Sequence, residues 1–200
     1  MTIVKSALAL SLATLFSTAA FAQQTTSTAP TPVDRNVNQQ QRIENGLQSG
    51  QLNTKEAGRL ERQETHVERL ESRAAADGAV TTGEAKRIDA AQDAVSKNIY
   101  QQKHDAQIGN PNSASSQRLQ ADVQRNVNQQ ERIANGVDSG TLTTREAGAL
   151  EHGQARVTRK EANAAANGHV GAHEEARIQR TESRQSGRVF AKKHNGRTAN

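Results

Sequence analysis

An all-α fold, a tandem duplication of a three-helix unit packed as a helical bundle, is what three features of this sequence predict. The first is an internal repeat. Val33 to Asp105 aligns without a gap to Val123 to Asn195 at an offset of 90, with 34 identities in 73 pairs. The second is composition, dominated by the strong helix formers Ala, Gln, Glu and Arg, with no run that alternates in β-branched residues. The third is a shorter echo inside each copy. Gly50-x-Leu52-x-x-x-Glu56-Ala57 returns 28 residues later as Gly78-x-Val80-x-x-x-Glu84-Ala85, and the second copy carries it from Gly140 and, as Gly168, Val170 and Glu174, without the alanine.

Taken in order, residues 1–22 read as a secretory signal peptide, with Lys5 as the positive start, an apolar Ala7 to Phe16 stretch and the small-x-small site Ala20-Phe21-Ala22. The mature chain then begins at Gln23 and is periplasmic or secreted. Residues 23–32 are a Thr/Ser/Pro linker. Residues 33–105 form the first copy, residues 106–116 a turn-rich linker, residues 117–195 the second copy, and residues 196–200 a disordered tail.

Each echo reads as a helix stop, a turn and a helix start. Glycine supplies the left-handed stop, Leu52 or Val80 tucks back as an apolar plug, and a capping box follows at Asn53/Glu56, Thr81/Glu84 and Thr143/Glu146. Gly171/Glu174 is the weak fourth version. The helices expected are 34–48, 54–76 and 82–102, then 117–138, 144–166 and 172–192. Ala57, Leu60, Val67, Leu70 and Ala74 make one stripe, and Ala85, Ile88, Val95 and Ile99 another. In the second copy Lys160 and Gln185 stand where the first has Leu70 and Val95, so the first copy is expected to be the more stable half. The glutamates of the second helix, Glu61, Glu64 and Glu68, are read as outward positions.

The core is thin. Past the cleavage site, 178 residues hold 25 Leu, Ile, Val and Phe. The absence of cysteine excludes disulfides, thiolate chemistry and Cys-based metal sites. The Gly–Glu turns look like the second half of a calcium loop, but Arg73 and Ala75 occupy the first and third ligand positions, which argues for a capped helix turn and no metal site. The six histidines share no repeated ligand spacing. His104 and His194 recur, each after a lysine at a helix end, where a cation suits the helix dipole. No nucleophile elbow, phosphate loop or dinucleotide fingerprint is present, so no catalytic residue, cofactor or small-molecule substrate is expected and the chain is read as not an enzyme.

Charge is the one feature with functional content. Residues 33–105 carry 11 basic and 12 acidic side chains, whereas residues 106–200 carry 14 and 9. Arg177, Arg180, Arg184 and Arg188 fall on one helical face, with Lys192 and Lys193 following, and this stripe can track a line of anionic groups.

The chain resembles a family of small exported bacterial α-helical repeat proteins with degenerate EF-hand-like turns. The resemblance rests on the string from Asn38 to Glu61 and its repeat from Asn128 to Glu151, on Ala76-Asp77-Gly78, and on Tyr100-Gln101-Gln102-Lys103-His104, with Phe190 in place of the tyrosine in the second copy. It implies export and fold but no site residues, since that family has no assigned activity. The expected role is an exported structural or interaction module of the cell envelope or periplasm. Its partner would be a protein, an envelope component or a second copy of the chain. The alternatives are an electrostatic binder of anionic polymers or membrane surface through the basic helix, and a weak divalent-metal module.

Overall fold

The computed structural model describes residues 30–199, so the predicted signal peptide and most of the first linker lie outside the described residues. Six α-helices follow one another: α1 Pro32–Ser49, α2 Thr54–Ala74, α3 Thr82–Lys103, α4 Ala114–Asp138, α5 Thr144–Ala164 and α6 Ala172–Lys193, with a 3-10 turn at Ala165–Asn167 after α5. No strand occurs among the described residues.

Local chemistry sets the helix ends. The Asn53, Thr81 and Thr143 side chains accept from the backbone N–H three residues on, and Glu56, Glu84 and Glu146 return the bond to the cap N–H. Gly171 lacks a side-chain acceptor, but Glu174 still accepts its N–H at 2.9 Å. A fifth box, Thr31 with Asp34, opens α1. Gly50 and Gly140 close α1 and α4 with φ of 76° and 67°, backbone that a side chain would strain. Leu52 and Leu142 then fold back onto Gly46 and Gly136, where an added Cβ would lie 2.6 Å from a leucine methyl.

Val80 and Val170 do not behave alike. Val170 is buried, with its N–H bonded to Ser115 Oγ at 2.7 Å and its carbonyl accepting from Arg118 at 3.0 Å. Both contacts come from the first two turns of α4, which begin earlier than the repeat alignment anticipated. Val80 is left exposed.

The two halves are not separate units joined by a linker. The most extensive helix interface is α2 on α5, followed by α1 on α4, and α3 and α6 flank this central four-helix bundle. One apolar cluster contains Ile43, Leu60 and Ile99 together with Leu119, Val170 and Ile178 from the other half. The α2–α5 crossing is antiparallel and close. A Cβ on Gly58 would sit 2.6 Å from Ala165 Cβ, and one on Gly148 would sit 2.5 Å from Ala75 Cβ. These contacts are equivalent under the 90-residue offset, and so are many others. Arg42 bonds Ser96 Oγ at 2.6 Å and Arg132 bonds Ser186 Oγ at 2.7 Å. Gln41 donates to its own counterpart, Glu131, at 3.2 Å, and Thr158 donates to its counterpart, Glu68, at 2.9 Å. An approximate two-fold axis therefore passes through the bundle centre. The equivalence extends past the aligned residues, since Gly109 N–H bonds Gly50 and Ala199 N–H bonds Gly140, at 2.8 and 2.9 Å.

Candidate functional site

Arg177, Arg180, Arg184 and Arg188 all lie exposed along α6. None of them enters an ion pair among the described residues. The fold extends this stripe with residues to which sequence reasoning assigned no part in it. Arg156 and Arg159 of α5 are exposed, and Lys160, expected in the apolar seam, is half-buried. Burial pushes the Lys160 ammonium pKa down, and Arg177, Arg156, Arg184 and Arg159 push it further. Those four guanidiniums are therefore close enough to act on one point. Lys160 also lines a shallow hollow with Asn163, Ala164, Glu174, Arg177 and Ile178. Lys192 and Lys193 belong elsewhere. Lys192 lies 4.0 Å from Glu146, and Lys193 donates to the Arg132 carbonyl at 3.2 Å.

The matching positions of the first half keep only two of these seven cations, Arg69 and Arg87. His66, Arg69 and Leu70 stand where the second has Arg156, Arg159 and Lys160, and Arg87, Ala90, Ala94 and Asn98 stand for the four arginines of α6. The fold accepts either set, so the cations are not a requirement of packing.

The second concentration of chemistry is inside the bundle and was misread from sequence. Glu61, Glu64, Glu68 and Glu71 line the face of α2 that meets α1, α4 and α5, and all four are buried, as are Glu151 and Glu161 of α5. They bond to amides. Gln40 Nε2 donates to Glu61 at 3.0 Å, and Gln130 Nε2 donates to Glu151 and to Glu68, both at 3.2 Å. Asn36 donates to Glu71 at 2.7 Å, and Asn126 to Glu161 at 3.1 Å. Gln92 of α3 reaches Glu71 and Asn36 at 3.1 and 2.7 Å. None of these six carboxyls has a basic side chain in an ion pair with it.

Burial therefore dominates, and it raises every one of their pKa values. Glu61 is pushed up to about 8 and Glu151 to about 7. For Glu64, Glu68, Glu71 and Glu161, neighbouring carboxyls add to the rise. Asp122 and Glu182 are raised to about 8 and about 7, again mainly by burial, although Arg125 bonds both at 3.0 and 3.1 Å.

The histidines are exposed. His104 and His194 stack on Tyr100 and Phe190 with ring centroids 4.1 and 4.2 Å apart. Glu84 is occupied by its cap, and Asp77 accepts from Ala79 N–H at 3.0 Å. Among the described residues no group of three His, Asp or Glu side chains converges as a metal site, and no helix is long and apolar enough to cross a membrane. Comparison with family models, with curated proteins and with solved structures finds no match to this chain.

Proposed function

We propose that this chain is an exported, non-enzymatic interaction module of the envelope that holds an anionic polymer on the basic face of α5 and α6. The observation that carries the reading is the set Arg156, Arg159, Lys160, Arg177, Arg180, Arg184 and Arg188, carried by the two packed helices α5 and α6 and outside every ion pair among the described residues. Seven like charges on one surface repel one another. A polyanion relieves that repulsion and releases its own counterions, which drives binding without any base-specific or sugar-specific contact. The signal-like residues 1–22 support an exported setting, and the resemblance noted above supports the same.

The test is binding of the purified protein to a polyanion probe, heparin or duplex DNA, across a salt series. Affinity is expected to fall steeply as salt rises. R177Q/R180Q/R184Q/R188Q is expected to reduce the slope of log K against log salt by roughly 3 to 4 on DNA, while leaving helicity unchanged. Equal slopes for the two proteins would dismiss this face as the site.

A second reading, docking of a protein, draws support from the exposed Tyr100 and Phe190 rings at equivalent helix ends. Binding through those rings would be indifferent to salt and to the arginine substitutions.

A further inference from the structure

The buried polar atoms of the bundle fall into a pattern. Seventeen side-chain atoms with no hydrogen-bond partner are buried among the described residues, and every one is an oxygen. Glutamines supply eight of them, Asp122 and the glutamates the rest. The core is thus short of donors alone. Native interiors rarely leave buried acceptors unpaired, and a glutamine carbonyl beside a carboxylate meets only another acceptor.

Two pairs show what would correct the shortage. Gln40 Nε2 donates to Glu61 Oε2, while Gln40 Oε1 and Glu61 Oε1 are both unpartnered. Gln130 Nε2 donates to Glu151 Oε2, while Gln130 Oε1 and Glu151 Oε1 are both unpartnered. In each case a proton on the free carboxyl oxygen would supply a missing donor and, turned toward the glutamine carbonyl, would close a ring of two hydrogen bonds between acid and amide. The two pairs are equivalent under the 90-residue offset, and all four residues are identical between the halves.

We infer that Glu61 and Glu151 are uncharged acids, each closed into a cyclic acid–amide pair with the adjacent glutamine, so that the bundle takes up protons as it folds and loosens when they leave. The groups facing these acids make ionised forms costly. From α2 come Glu64, Glu68 and Glu71, and from α5 Glu161. Glu71 and Glu151 approach each other within hydrogen-bonding reach. From α1 come Gln40, Asn36 and Arg42, and the Arg42 guanidinium is bonded to Ser96. From α4 come Gln130, Asn126, Asp122 and Arg125, and Arg125 is bonded to Asp122 and to Glu182 of α6. From α3 comes Gln92, which is neutral. No cation is left to balance Glu61 or Glu151. A divalent ion is disfavoured by geometry, because no three His, Asp or Glu ligands converge among the described residues.

The test compares thermal melts of the purified protein and of E61Q/E151Q between about pH 5 and pH 9, in chelator. Glutamine keeps the shape of the neutral acid, offers an N–H where the acid offers O–H, and cannot ionise. The wild-type midpoint is expected to fall by roughly 10 °C or more across that range. The double variant is expected to melt close to wild type at the acid end and to lose clearly less at the alkaline end.

A wild-type midpoint that is flat or rising, or a double variant with the wild-type slope, overturns the inference. Should the variant not fold, proton counting on the wild type decides. Release of protons on unfolding in weak buffer near neutral pH supports neutral acids, and no release refutes them. Stabilisation of wild type but not of E61Q/E151Q by calcium, manganese or zinc chloride would also refute them, in favour of a metal.

Discussion

Burial is the largest influence on the Glu64 carboxyl, with Glu61 adding to it and Arg42 opposing it. Glu64 is 1 % exposed, both of its oxygens lack a partner, and Gln154 occupies the equivalent place in the other half. Its proton is held more tightly in the folded chain than in the unfolded chain. The unfolded state therefore loses protons first as pH rises. Stability contributed by the neutral form is complete below the ordinary glutamate value near 4.5 and drains away above it, by about 1.4 kcal/mol per pH unit per carboxyl, until the folded-state pKa is passed. E64Q is accordingly expected to stabilise the protein by roughly 1 to 3 kcal/mol at pH 8 and by little at pH 5, as read from denaturant midpoints at the two pH values.

None of this was legible while polar helix positions were counted as solvent positions. A usable signal did exist. Glu61, Glu64, Glu68 and Glu71 share one helical face at spacings of three and four, and the amides they meet, Asn36 and Gln40, recur unchanged as Asn126 and Gln130. Glu61 and Glu71 likewise recur unchanged as Glu151 and Glu161.

At the scale of elements, the helices and their capping boxes were readable because each depends on residues three or four apart. Packing between helices was less so. Leu70 and Lys160, assigned to the apolar seams, are only half-buried, so the lysine leaves no large hole in the second half. Gln185 does replace Val95 in the core, and it is accommodated. Its Nε2 donates to the Leu150 carbonyl at 2.9 Å, and Gly153, standing where the first half has Gln63, clears space that a Cβ would take from the Gln185 carboxamide. The early start of α4 escaped the repeat alignment because residues 114–122 share no identity with residues 24–32. Its contribution can be measured. S115A removes the acceptor of the buried Val170 N–H and is expected to cost about 1 to 3 kcal/mol in thermal or denaturant unfolding.

For the molecule as a whole, the sequence expectation that residues 33–105 would be the more stable half rested on independent units, and the shared core removes that premise. Alone, residues 33–105 would bare the α2 face that carries Glu61, Glu64, Glu68 and Glu71 together with Gly58 and Ala75. That fragment is expected to be unfolded when dilute at pH 8. At pH 5 it is expected to associate as a pair, with Gly58 of one copy against Ala75 of the other and Glu68 against Glu68 across the axis. Sedimentation velocity and circular dichroism at the two pH values check this, and a folded monomer at pH 8 would contradict it. The repeat announced two alike halves; their mode of union was hidden because the joining surface, α2 against α5, is lined by side chains that look like surface.

The segment between α3 and α4 touches the rest of the protein through the Gly109 to Gly50 backbone bond, the Gly109 approach to Leu52, an Asn53 to Gln107 side-chain bond and a Gln120 contact with the Pro111 carbonyl. The bundle's cohesion passes sideways between helices instead of lengthwise through that segment. Covalent order is then nearly incidental to the architecture. A chain nicked between α3 and α4 is accordingly expected to keep both pieces in one particle.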